Sequence, residues 1–540
     1  MTRPMSATAV PPVAARMLRR PRLPSGRAVL RVLAAAACPA AVLALAGFAA
    51  FERGTNALGA RLWVDEGISI GIAQHPLADL PALLRRDGSP PVYYALLHWW
   101  IGLFGASPAS THALSVLFAV LAVPACAWAA WSTFGPRAGV LAAALAAFAP
   151  LVGEYADETR MYTLAFLLAA LATGAFLRAF VGGSRWWAAG FGALAALLAL
   201  THGWGVFYAA GAACALFVTL VVGPRRRRTV VNALIAVAVG AVLFAPWVPT
   251  LLFQVAHTGA PWSHTPDPRS LTRAGSRMLG GRPAETVLLV VAIGGLLASA
   301  RRASGARLGL ACIGIIAVVT VLAGYEASRL DQPVWALRYL ALPLAPFVVA
   351  IGAGLDRAGP VGLIAVVAVC ALFWVGKPSA AALEDKSNVA ELAVAMRGEL
   401  PPGTLVASPQ PEQVPVLDYY LPGRLRYVTP LGVPRDDRAV DWTDALRRLR
   451  ASRVRTTLAP AVRRLRPGAR VLLVAPRFGH PDSPWTRTIA HRERHWLHWL
   501  ERNRRLVELG AYVPTRYASR ATVAGVLFER KLHAKHSLTT

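Results

Sequence analysis

Along its first two thirds the chain alternates apolar runs of about 20 residues with short polar connections. Wound as a helix rising about 1.5 Å per residue, a run of that length crosses a hydrocarbon core of about 30 Å. Eleven runs stand out, at residues 32–51, 109–132, 138–153, 161–180, 186–201, 204–222, 229–249, 285–300, 308–324, 338–355 and 360–376. They predict a polytopic α-helical membrane protein with about eleven transmembrane helices. Beyond residue 376 the apolar runs shorten to strand length, "TLVAS" at 404–408 and "RVLLVAP" at 470–476, and alternate with amphipathic stretches such as "DWTDALRRLRAS". That pattern predicts an α/β domain. The expected organisation is a tail (1–31), a transmembrane module (32–376) with a large first external loop (52–108), and a C-terminal domain (377–540).

One segment does not fit the count. "PPVYYALLHWWIGLFG" (90–105) is apolar but, at about 16 residues, too short to span. Its Tyr and Trp suit the headgroup level, so it is expected as an interfacial helix on the outer face.

Charge then orients the chain. Starting from a cytoplasmic tail, the inner connections of residues 1–376 hold 18 Arg and one acid, Asp356, whereas the outer ones hold 11 Arg and 12 acids. An Arg excess in short inner loops is the positive-inside pattern. The formal charge of +29 would otherwise suggest a nucleic-acid partner. With the Arg placed to orient helices, nucleic acid is set aside and membrane lipid takes its place. An odd number of spans puts residues 377–540 outside, with 28 basic against 15 acidic residues. That excess is either a solvated basic surface or a contact for anionic headgroups or an acidic acceptor. All five cysteines lie in apolar runs without a CxxC pair, which indicates neither a disulfide framework nor a thiolate metal site. Mean hydropathy is +0.46.

With sidedness assigned, polar residues collect at the outer helix ends: Asp65 and Glu66 in "RLWVDEGISI", Asp87 in "RRDGSPP", Glu154, Asp157, Glu158, Arg160 and Tyr162 in "GEYADETRMY", His202 in "THGWG", and Glu326, Asp331, Arg338 and Tyr339 in "YEASRLDQPVWALRY". A charge near the hydrocarbon costs on the order of 2.5–3.5 kcal/mol, so such a cluster marks a site. Plainer roles stand beside that one. Glu158 with Arg160, or Asp331 with Arg338, also reads as an ion pair locking helices, His202 as a helix-end residue, and Asp87 as a turn residue. Carboxylates can take a proton from a hydroxyl and Arg can hold a phosphate, which together suit transfer from a lipid-linked phosphate. No Walker loop, GxGxxG after a strand or HExxH is present, so a soluble nucleotide donor has no visible binding site.

The acidic pair after the first span, the stretch "RRDGSPPVYYALLHWWIGLFG", "YADETRMY" and the late Arg338–Tyr339 together resemble the bacterial GT-C glycosyltransferases, in particular the family 39 protein mannosyltransferases and the aminoarabinose lipid A transferases. The resemblance covers about residues 30–375. It implies an inverting transfer of a sugar, such as mannose or arabinose, from a polyprenyl-phosphate donor to a hydroxyl of a glycan, lipid or protein acceptor, outside the bacterial plasma membrane. It implies Asp65 as general base with Glu66 beside it, and Arg160 and Arg338 at the donor phosphate. Asp87, Tyr93, Glu158, Tyr162, His202 and Tyr339 would bind substrate. The resemblance leaves the cofactor unknown; some relatives bind a divalent cation, for which Glu66, Asp87 and His202 are the candidates here. Ser89 departs from the His or Lys that many relatives place before the proline pair. The competing classes are a transporter or flippase of lipid-linked sugars and a surface-polysaccharide polymerase or ligase. The flippase is disfavoured because the ionisable residues collect at one face and no internal repeat is visible.

Overall fold

A computed structural model describes residues 26–298, 304–330, 333–377, 385–421 and 423–532. Asp331 and part of the basic "RRASGAR" connection therefore lie outside the described residues. All eleven apolar runs are mainly helical over their described residues. Most of the bundle is formed by α1 (Gly26–Ala57), α5 (Pro108–Phe134), α6 (Pro136–Phe148), α7 (Pro150–Ala156), α8 (Tyr162–Phe176), α9 (Arg185–Ala199), α10 (Gly205–Val222) and α11 (Arg226–Phe244). The rest comes from α12 (Val248–His257), α13 (Pro268–Met278), α14 (Arg282–Ala298), α15 (Ser304–Leu330), α16 (Ala341–Arg357) and α17 (Pro360–Val375). Between α1 and α5 lie three short helices, α2 (Val64–Ala73), α3 (Leu80–Asp87) and α4 (Pro91–Phe104).

The eleven runs are not built alike. Among the described residues seven helices are long and apolar enough to cross a membrane, or up to nine if two bent pairs each count as one. The remaining runs form the shorter α9 and α17, of 15 and 16 residues, roughly 22–24 Å long. One bent pair is α6–α7, at 50°; the other is α13–α14, at 78° around Gly280 and Gly281, whose positive φ angles suit glycine alone.

The α6–α7 break is repaired by a side chain. Pro150 has no N–H, so the carbonyl of Ala146, its partner in an unbroken helix, is orphaned. Arg53 of α1, only 2% exposed, donates to the carbonyls of Ala146 at 3.0 Å and Ala147 at 2.8 Å, and to Ala119 of α5 at 3.2 Å. At membrane depth backbone groups need such partners. An arginine that hydropathy reads only as the end of a span thus ties three helices together.

The 90–105 segment forms the 14-residue α4, about 21 Å long. Tyr93, Tyr94 and Leu97 are buried, while Trp99, Leu103 and Phe104 are exposed. One apolar face therefore points away from the protein, the pattern of a helix lying along an interface.

After residue 385 the chain builds a five-stranded sheet of order β2-β1-β3-β5-β4, from β1 (Leu405–Ala407), β2 (Arg426–Val428), β3 (Arg470–Pro476), β4 (Leu506–Tyr512) and β5 (Val523–Arg530). β1 pairs in parallel with β2 and β3, and β5 pairs antiparallel with β3 and β4. Five helices flank it: α18 (Val389–Ala395), α19 (Val414–Tyr420), α20 (Ala445–Ala451), α21 (Leu458–Arg463) and α22 (Pro484–Glu501). The continuous apolar run of β3 reflects burial on both faces. Val471 and Leu473 pack with Leu458, Trp496 and Leu500, whereas Leu472 and Val474 pack with Trp485 and Ile489 in a core continuous with the helical bundle. The sheet domain and the bundle share this core.

Candidate functional site

The site starts at the N-terminus of α2, which follows Trp63 in extended conformation. Acids in a first helical turn lie at the positive end of the helix dipole. Asp65 and Glu66 occupy that turn, and the step of about 100° between neighbours sends their side chains in different directions.

Glu66 is wholly buried. One carboxylate oxygen meets His112 Nε2 of α5 at 2.5 Å and the backbone N–H of Thr159 at 2.7 Å; the other accepts from Lys386 Nζ at 2.9 Å and from the N–H of Trp63 at 3.2 Å. Lys386 also donates to the carbonyl of Asp157. Burial alone would raise this acid; the charges of Lys386 and His112 and their hydrogen bonds outweigh it and hold the carboxyl down at about 2.

Asp65 turns the other way and keeps a side chain 20% exposed. Arg338 Nη1 stands 3.4 Å from its Oδ2. Arg160 donates to the Asp65 carbonyl at 3.3 Å and to Ser69 Oγ at 3.0 Å. Both guanidiniums lean on aromatic faces: Arg160 lies 5.9 Å from the Tyr162 ring centre, and Arg338 lies 4.4 Å from Trp262 and 5.7 Å from Tyr339. The Nε atoms of both arginines are buried without a hydrogen-bond partner. Buried donors normally have partners, so these are spare donors beside a carboxylate.

His202 packs edge-on to Tyr339, ring centres 4.5 Å apart, and 6.0 Å from Tyr162. Its Nδ1 accepts from the N–H of Trp204 at 3.1 Å. Burial, then the charges of Arg160 and Arg338, lower its pKa to about 3, so the ring is neutral at pH 7. Asp87 ends α3, where burial raises it to about 6 against the pull of Ser89 and Arg160. Tyr94 OH donates to Ser89 Oγ at 3.1 Å, and Tyr93 is fully buried beside it. Glu158 is buried and turned toward Arg520 of the sheet domain, whose Nη2 is 3.1 Å away. The same nitrogen reaches Glu154 at 2.5 Å.

The expected residues therefore divide into two groups. Asp65, Arg160, Tyr162, His202, Arg338 and Tyr339 converge, with Asp87 close enough to feel Asp65 and Arg160. Glu66 and Glu158 instead face the sheet domain. The trio Glu66, Asp87 and His202 does not assemble as a metal-ligand set. Glu66 is taken up by Lys386 and His112, and among the described residues no group of three or more His, Cys, Asp or Glu could hold an ion. A cation site of that composition does not fit these side chains.

Sequence reasoning missed His112, Lys386 and Arg520. A signal for Lys386 was present: it is one of only four lysines among 57 basic residues. Next to the site, a cavity of about 760 Å³ is lined by Leu337, neighbour of Arg338, by the apolar Phe373 and Trp374, by the basic Arg273, Arg282 and Lys377, and by the acids Glu52, Glu154 and Asp157.

This membrane helical bundle, joined to a small sheet domain, shares its fold with solved membrane proteins. The chain is similar to ArnT from Cupriavidus metallidurans in the apo state, with a TM-score of 0.62 and 16% identity over 92% of this chain and 98% of that one. It is also similar to the same protein bound to undecaprenyl phosphate, with a TM-score of 0.58 and 14% identity over 90% and 97%. The archaeal oligosaccharyltransferase AglB from Archaeoglobus fulgidus, in complex with an inhibitory peptide and a dolichol-phosphate, matches with a TM-score of 0.51 and 11% identity over 73% of this chain and 64% of that one. A structure of the Archaeoglobus enzyme also contains Zn and sulfate. No family model and no curated protein matches the sequence.

Proposed function

We propose that this protein is an inverting glycosyltransferase that moves a sugar from a polyprenyl-phosphate donor to an acceptor hydroxyl at the outer face of a bacterial plasma membrane. The observation behind it is Asp65, a partly exposed carboxylate paired with Arg338, with Arg160 on its backbone carbonyl and a buried, unused Nε donor on each arginine. The similarity in fold to a transferase bound to undecaprenyl phosphate supports the same reading.

In this reading Asp65 accepts the acceptor's hydroxyl proton as the oxygen attacks the anomeric carbon. The bond from that carbon to the phosphate oxygen breaks on the opposite face, and polyprenyl phosphate departs. Its phosphate gains one negative charge, and Arg160 and Arg338 stabilise the gain. Before substrate arrives, Arg338 neutralises Asp65. The donor phosphate competes for that guanidinium and frees the carboxylate to act as a base. Neutral His202 adds no third positive charge, and with Tyr162 and Tyr339 it supplies aromatic surface for a sugar ring. The adjacent cavity, lined by apolar side chains and by more basic than acidic ones, has room for part of a lipid donor.

The test is to incubate the purified chain with a panel of polyprenyl-phosphate sugars and measure released polyprenyl phosphate. Wild type should release it, and Asp65→Asn, folded normally, should not. Wild-type turnover in Asp65→Asn would remove that residue as base.

A further inference from the structure

We infer that Lys386 is a positioning residue for transfer, acting through Glu66 to fix Asp65 against Arg160, so that the sheet domain completes the site. The inference rests on the roles proposed above for Asp65 and Arg160.

Glu66 is a junction of four segments. Its carboxylate binds the start of its own helix at Trp63, α5 through His112, the 157–161 turn through the N–H of Thr159, and the sheet domain through Lys386. Asp65 precedes Glu66 in the same helical turn, and Arg160 follows Thr159. The separation of base and phosphate-binding guanidinium is thus set by how Glu66 holds Thr159. Lys386 fastens both sides of that link, since Nζ donates to the Glu66 carboxylate and to the Asp157 carbonyl at the head of the same turn.

Lys386 is itself anchored. Its carbonyl accepts from the N–H groups of Arg520 at 3.1 Å and Ala521 at 3.0 Å, and an isolated bridge joins Ser387 to Ala521, so its segment lies against the one that brings Arg520 to Glu158 and Glu154. Two cations on neighbouring segments thus enter an acidic cluster on the bundle. Lys386 has a side chain only 5% exposed, and its ammonium lies between two oxygens. A compact point charge suits that position better than a planar fork, which accounts for a lysine in an arginine-rich chain.

Near-attack geometry is sensitive at the ångström scale, and misplacement by about 1 Å costs on the order of 100-fold in rate. Lys386→Met should therefore lower kcat by about 10- to 100-fold with the donor KM within about threefold, in full-length protein that elutes as the wild type does. Lys386→Arg, which keeps the charge but not the compact head, should give a kcat between those of wild type and Lys386→Met. Lys386→Met combined with Glu66→Gln should be no slower than the worse single variant, because both changes cut one link. Hydrogen exchange at the Thr159 amide should quicken in Lys386→Met without any substrate. Should Lys386→Met not fold, Lys386→Gln is judged by the same criteria. Wild-type kcat in the neutral variant, multiplicative losses in the double variant, or unchanged exchange at Thr159 overturns the inference and leaves the glycosyltransferase reading intact. A wild type that releases no polyprenyl phosphate from any donor overturns that reading, and the inference with it.

Discussion

In the proposed reaction, replacing Arg160 with Gln removes one of the two cations that would face the departing phosphate and leaves a neutral hydrogen-bond donor. As the sugar–oxygen bond breaks, the phosphate gains one unit of negative charge. At about 4 Å, in an effective dielectric of about 20, a guanidinium stabilises that charge by about 4 kcal/mol. A Gln amide retains a hydrogen bond of about 1 kcal/mol. The net loss is about 3 kcal/mol, or on the order of 100-fold in kcat. Arg160→Lys should fall between, since it keeps the charge but loses the planar guanidinium whose Nη1 donates to both the Asp65 carbonyl and Ser69 Oγ. The assay is the initial rate of polyprenyl-phosphate release by purified protein at saturating donor, with monodispersity checked for each variant. A turnover of Arg160→Gln within threefold of wild type would refute the role given to this guanidinium.

Gly67 approaches α19 so closely that a Cβ would lie 2.6 Å from Val416 Cβ, so Gly67→Ala should cost about 1–3 kcal/mol and lower Tm. Gly54→Ala, with nothing within 4 Å, is the control, and equal Tm values for the two would contradict the packing. Burial raises Glu158 to about 7, above an ordinary carboxyl near 4, so the folded state holds this proton more tightly than the unfolded chain. Its stabilising contribution is complete below about pH 4 and is lost as pH rises through 7. Tm should therefore fall more between pH 5 and 8 in wild type than in Glu158→Gln; parallel curves would count against the burial. In a Cys214→Ala background, Arg502→Cys should react with an impermeant maleimide in intact cells and Arg227→Cys only after permeabilisation; labelling from the same side would overturn the topology.

Hydropathy made the helical module legible because lipid demands long apolar runs, and it located β1, β3 and α20 because burial leaves a local mark. It did not show how each run is built, because composition does not register where a helix stops or bends. The 15 and 16 residues of α9 and α17, the missing N–H of Pro150 and the turn at Gly280–Gly281 became visible only in three dimensions. In the site, charge clustering at helix ends picked out Asp65, Arg160, His202 and Arg338, which do converge. It treated Asp65 and Glu66 as one acidic pair, whereas the helical step sends one toward the cleft and the other into the protein. Lys386 stayed hidden because its partner Glu66 is 320 positions away and no local pattern joins them.

That separation has a consequence for how the protein is made. At about 5–20 residues per second, a ribosome supplies Lys386 about 16–64 s after Glu66. Throughout that interval the nascent bundle has the acid and lacks the cation that matches it. A chain that stalls, or is cut before residue 385, leaves helices in the bilayer without the Glu66–Lys386 junction. On the role proposed for Lys386, the arrangement that positions Asp65 is completed only in the last third of translation.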